Sequence, residues 1–152
     1  MPPSEERESP APRVAHAPAP DPDDWLKKHA PREWVQIGLA ELRRATEAFR
    51  VHDIAAGMAF CKRAAGMALN GALLVEPDPT WGRSYVDHLR ALANDARVPS
   101  AVRDACRVVL DARPPNPHLL TLRVPGGNDR VVEAARDVMA HALAVVIRHE
   151  GE

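Results

Sequence analysis

The chain has 152 residues, 45% of them apolar but only six aromatic, and its 20 Lys plus Arg balance 21 Asp plus Glu to a formal charge of −1. This length suits one folded domain, and the near-zero charge excludes a whole-molecule field that would draw in a polyanion. No apolar run approaches the roughly 20 residues that span a bilayer, and Met1 to Pro20 lack the charged-then-apolar order of a signal peptide, so a cytoplasmic chain is expected.

Residues 1–20 hold Pro2, Pro3, Pro10, Pro12, Pro18 and Pro20 among Ala, Ser and Glu with no apolar period. They read as a disordered tail, because nothing there buries enough surface to offset ordering entropy. Residues 21–150 read as one helical domain. Asp23 and Asp24 precede Trp25 and Leu26 as acidic residues do in a first helical turn, which predicts a short helix there. After Pro31, Val35, Leu39, Leu42, Ala45 and Phe49 recur at steps of three and four and predict a helix over about 32–50. Its opposite face carries Glu33, Arg43, Arg44, Glu47 and Arg50.

His52-Asp53 makes a tight connection to a second helix, on which Ile54, Met58, Cys61, Ala65, Leu69 and Ala72 form the apolar stripe. Gly57, Gly66 and Gly71 each cost a helix interior about 1 kcal/mol relative to Ala. Their presence therefore predicts a central helix that its neighbours approach closely. Glu76-Pro-Asp-Pro79 ends it. Thr80 is the expected N-cap of a third helix containing Tyr85, Val86, Leu89 and Leu92. Pro99-Ser100 opens a fourth with Val102, Cys106, Val109 and Leu110. The prolines at 114, 115 and 117 then break the chain, and Leu119, Leu120, Leu122 and Val124 mark a loop expected to pack across the bundle. Val131, Ala135, Val138, Ala142 and Val145 define a last helix over about 129–149. The fold class is all-α, an up-and-down bundle of four main helices plus a short extra helix.

Trp25-Leu26 or Trp34-Val35, then His52-Asp53, Phe60, Ala64-Ala65, Ala68-Leu69, His88-Leu89-Arg90-Ala91-Leu92 and Arg123-Val124-Pro125 stand in an order that resembles the HEPN family of prokaryotic helical bundles. The resemblance covers about 25–147. It departs from the family's pattern at Gly66-Met67 and Asn70, where many relatives carry charges. The resemblance implies a homodimer that works beside a nucleotidyltransferase-like partner. It also implies a non-enzymatic module that engages a nucleotide, RNA or a protein.

Family members that cleave RNA carry an Arg followed closely by a His, and Arg136 and His141 have that spacing. The alternative reading is therefore a metal-independent, toxin-like endoribonuclease, with His141 as acid or base and Arg136 holding the scissile phosphate. Five helical steps put the two side chains roughly 140° apart, so they would converge only across a dimer. No Tyr follows His141. A purely structural scaffold tethered by its tail is the third reading.

The seven histidines include no pair at helical ligand spacing, so no metal is expected, and no cofactor-binding motif is present. His52-Asp53 and Asp87-His88 read as caps and surface polarity. Cys61 and Cys106 read as core thiols. Lys27-Lys28, Arg43-Arg44 and Lys62-Arg63 read as solvated surface.

Overall fold

The computed structural model describes residues 24–114 and 127–151. The tail at 1–20, the apolar loop residues 119–124 and Arg123-Val124-Pro125 lie outside the described residues. Five α-helices follow one another without a strand among those described: α1 (Pro31–Arg50), α2 (Ile54–Val75), α3 (Tyr85–Ala93), α4 (Ser100–Asp111) and α5 (Gly127–Glu150). Single 3-10 turns at Leu26–Lys28 and Pro79–Trp81 complete the order. The expected short helix after Asp24 is therefore one 3-10 turn. Its Leu26 carbonyl accepts a hydrogen bond from the indole of buried Trp34 at 2.8 Å, which pins this first turn to α1.

Pro31 sits in the first turn of α1, where its missing N–H costs nothing. Asp53 caps α2, its carboxylate accepting from the Ala56 amide at 3.2 Å, while His52 takes the left-handed φ of 63° that reverses the chain. The hairpin that results is tight because glycines line it. A Cβ on Gly38 would lie 2.6 Å from the Ala64 carbonyl oxygen, one on Gly71 2.5 Å from the Pro31 carbonyl oxygen, and one on Gly66 2.1 Å from the Tyr85 Cβ. The close approaches expected at Gly66 and Gly71 are thus present, and α2 is the central helix, with α1, α3, α4 and α5 all packed on it. Pairing of Gly71 with Pro31 and of Gly57 with Phe49 makes α1 and α2 antiparallel. Arg32 and Glu150 join the start of α1 to the end of α5 in a two-pronged ion pair, so α5 runs antiparallel to α1.

Two expectations are corrected by this packing. Leu39 is not on the buried stripe of α1: it is 43% exposed, and the buried face runs instead through Trp34, Val35, Gly38, Glu41, Leu42, Ala45 and Ala48. Glu41 is buried because Arg44 of α1 and Arg63 of α2 reach its Oε1 at 3.1 and 3.5 Å, so these arginines neutralise an interior carboxylate. Thr80 does not cap α3. It belongs to the Pro79–Trp81 turn, and Ser84 is the N-cap, its hydroxyl accepting from the Asp87 amide at 3.0 Å while Asp87 reaches back to the Ser84 amide.

Cys61 and Cys106 are fully buried, and burial pushes their thiols up to about 11 and about 12. A thiol held protonated is a poor nucleophile. Iodoacetamide at about pH 8 is expected to leave both unmodified in the native chain and to alkylate both in denaturant; the count comes from mass spectrometry of the intact protein.

Candidate functional site

Where α2 ends, α5 ends and α4 begins, the chain leaves a cleft of about 560 Å³, lined by Ala72, Glu76, Pro77, Asp78, Trp81, Leu92, Asp95, Arg97, Val98, Pro99, His141, Val145 and Arg148. Glu76 terminates α2 and accepts from Arg148 at 2.6 Å and from His149 Nε2 at 2.8 Å. These two hydrogen bonds, that from His149 first, hold its carboxyl below the usual range against the opposing effect of partial burial. Arg148 and His149 lie in the last turn of α5, where basic side chains complement the helix dipole.

On the facing wall, Asp78 accepts from both the amide and the hydroxyl of Thr80, at 2.9 and 2.6 Å, and so shapes the turn that presents Trp81. Arg97 forks onto Asp95 at 3.0 and 2.9 Å and reaches Asp78 at 3.8 Å. The arginines are the outer layer of this wall and the carboxylates the inner one. The Arg97 side chain is 81% exposed and that of Asp95 only 17%. Pro99, the N-cap of α4, lines the cleft; no side chain caps that helix, and the Pro99 carbonyl takes the Val102 and Arg103 amides at 3.0 and 3.1 Å.

His141 faces this cleft, half-buried, and makes no hydrogen bond among the described residues. Burial first, and Arg148 second, lower its pKa, so its imidazole is neutral at pH 7. Arg136 is elsewhere, on the exposed face of α5, bonded at 3.1 Å to Glu133 one turn back. The fold does not bring Arg136 and His141 together within one chain; the arginines that share His141's cleft are Arg97 and Arg148. Nothing in the sequence pattern flagged Trp81, Asp95, Arg97 or Arg148. Only Arg148-His149 at a helix end carried a signal, the dipole preference, and it does not say what the pair faces.

His88 departs from its expected role as surface polarity. It is fully buried, and burial lowers its pKa. An unfolded histidine takes its proton near pH 6.5. With the native pKa values of His88 and His141 below that, the unfolded chain binds more protons as pH falls through 6.5, and native stability declines from there toward the lowered values. The urea midpoint is expected to be lower at about pH 5.5 than at about pH 7.5; equal midpoints would contradict the burial of both rings.

Among the described residues no three His, Cys, Asp or Glu side chains are grouped to hold a metal ion, and no helix is long and apolar enough to cross a membrane. The site thus defines a class: an all-α chain with a charge-paired cleft, walled in part by Trp81, at a junction of helix ends. Compared with family models, with curated proteins and with solved structures, the chain finds no match.

Proposed function

We propose that this chain is a non-enzymatic, HEPN-like helical binding module whose cleft takes a nucleotide-sized, phosphate-bearing ligand. The observation that carries the proposal is the grouping of Trp81, His141, Arg97, Arg148 and the uncapped start of α4 around one concavity. Its volume of about 560 Å³ falls within the roughly 300–1,000 Å³ of small-ligand sites. Trp81 offers a face for a base, the two guanidiniums offer forked donors for phosphate, and the start of α4 behind Pro99 adds a positive helix end.

The carboxylates compete for those guanidiniums, and magnitudes decide the competition. An exposed ion pair is worth about 0–1 kcal/mol, whereas a forked arginine–phosphate contact is among the stronger charge-assisted bonds. Swinging Arg97 or Arg148 from carboxylate to phosphate is therefore inexpensive. Asp78, Asp95 and Glu76 remain as acceptors for sugar hydroxyls and base amino groups. Their number, with a formal charge of −1, favours a nucleotide over a long RNA strand.

Within this reading the family resemblance supports a homodimer working beside a nucleotidyltransferase-like partner. The test that separates binding from catalysis is incubation of single-stranded RNA with the purified chain in EDTA, alongside His141→Ala and Arg136→Ala. Intact RNA in all three is the expected result. Cleavage by the wild type that both substitutions abolish would overturn the non-enzymatic reading in favour of the endoribonuclease.

A further inference from the structure

The imidazole of His88 packs against two tryptophans, one from the first turn of the fold and one from the connection between α2 and α3. Trp25 lies near-parallel to it, 11° between planes at a centroid distance of 6.3 Å, and Trp81 is tilted by 45° at 5.8 Å. The ring is fully buried. Its Nε2 lies 3.2 Å from the Gly82 carbonyl oxygen, an acceptor only, so Nε2 carries the proton and donates. Nδ1 is then the bare nitrogen, and it is buried with no hydrogen-bond partner.

This surrounding is built for the neutral ring. A second proton on Nδ1 would create a buried donor with no acceptor and a buried charge with no counterion, each of which is costly. The charged and titratable groups on the elements packed with α3 are Asp24, Lys27, Lys28 and His29 around the first turn, Lys62 and Arg63 on α2, Glu76, Asp78 and Arg83 on the connection from it, Asp87 and Arg90 on α3 itself, and Arg103, Asp104, Arg107 and Asp111 on α4. Asp87 is the carboxylate whose charge favours a protonated ring, and it is engaged at the Ser84 cap. Both tryptophans ride on single turns with few backbone bonds of their own, fastened by one side-chain bond at Leu26 and by the Asp78–Thr80 bonds. Segments held that way are the first to open.

We propose that His88 is an acid-operated latch: neutral, it holds Trp25 and Trp81 against the bundle; protonated, it leaves its pocket and releases both, which moves the Trp81 wall of the cleft. The consequence for binding rests on the nucleotide reading above, but the latch itself does not, and its test uses no ligand. On lowering the pH from about 7.5 to about 5, a span in which histidine titrates, tryptophan emission is expected to shift to longer wavelength with a midpoint below about 6.5. The far-UV circular dichroism should stay that of a folded helical bundle throughout. In His88→Phe the emission should be flat across the same range. His29 touches Trp34 and His141 shares the cleft with Trp81, so His29→Gln and His141→Gln are the controls and should keep the transition.

A nuclear magnetic resonance titration of the wild type gives the same answer without any variant. The His88 ring protons and the indole N–H signals of Trp25 and Trp81 should move with one common midpoint. Emission that does not change in the wild type overturns the latch, as does a transition that persists in His88→Phe. Indole signals indifferent to the His88 midpoint, or helix content lost at that same pH, would overturn it as well.

Discussion

Gly38→Ala is expected to destabilise the chain by about 2 kcal/mol, although alanine is the better helix former by about 1 kcal/mol. The added methyl would stand 2.6 Å from the backbone oxygen of Ala64 and 3.3 Å from the Ala68 nitrogen. A flexible side chain can step aside, but here the neighbour is the backbone of the central helix. Relief requires α1 and α2 to separate by several tenths of an ångström along a hairpin packed over most of its length. Overpacking of this kind costs about 1–3 kcal/mol and occasionally more, so the clash outweighs the propensity gain. In a chain of this size a loss of about 2 kcal/mol lowers the melting temperature by roughly 4–8 °C. A Gly38→Ala variant as stable as the wild type would contradict the close α1–α2 contact.

Leu69→Ala is expected to cost about 3 kcal/mol, within the roughly 2–5 kcal/mol of leucine truncations that leave a cavity. Leu69 is fully buried on the central helix, within the core that all five helices share. Leu39→Ala is its counterpart on α1, at 43% exposure, and should change stability by less than about 1 kcal/mol. Equilibrium denaturation of both variants measures the contrast directly. Equal losses would restore Leu39 to the core stripe that its spacing alone suggested.

That pair of leucines shows what spacing conveys and what it omits. Helix order and approximate bounds were legible because prolines and apolar periods punctuate the chain clearly: α1 starts at Pro31, α2 stops before Pro77, and α4 follows Pro99. The face of α1 was not legible. Its buried stripe includes Gly38 and Glu41, which an apolar count passes over, while Leu39 scores as core and faces outward. Gly38 is buried because two backbones meet there, and Glu41 because arginines from two helices neutralise it; both causes are tertiary. The third helix start was misplaced for a different reason. Ser84-x-x-Asp87 is a capping box readable in the sequence, but Thr80 after Pro79 drew the assignment five residues upstream of Tyr85.

The candidate site was less legible than the fold. Arg136 and His141 form a local pattern on one helix, and local patterns are what a sequence displays. The residues that actually share a concavity with His141 are Glu76, Trp81, Asp95, Arg97 and Arg148, which come from the ends of two helices and two connections. Their convergence depends on how α5 lies along α2, a tertiary arrangement that no local motif displays. His88 likewise sat within an amphipathic stretch, and its contacts with Trp25 and Trp81 are tertiary.

The most direct test of the cleft as a nucleotide site is a titration of the 15N-labelled chain with ATP in EDTA, followed by amide, indole and guanidinium resonances. Saturable shifts at millimolar ligand or below, confined to Trp81, Arg97, the first amides of α4 and Arg148, and weakened at least about tenfold in Arg97→Ala and Arg148→Ala, are the predicted result; tenfold corresponds to about 1.4 kcal/mol. Resonances of the cleft that stay in place while the rest of the chain is folded, or shifts centred on Arg43, Arg44 and Arg63 instead, would contradict it.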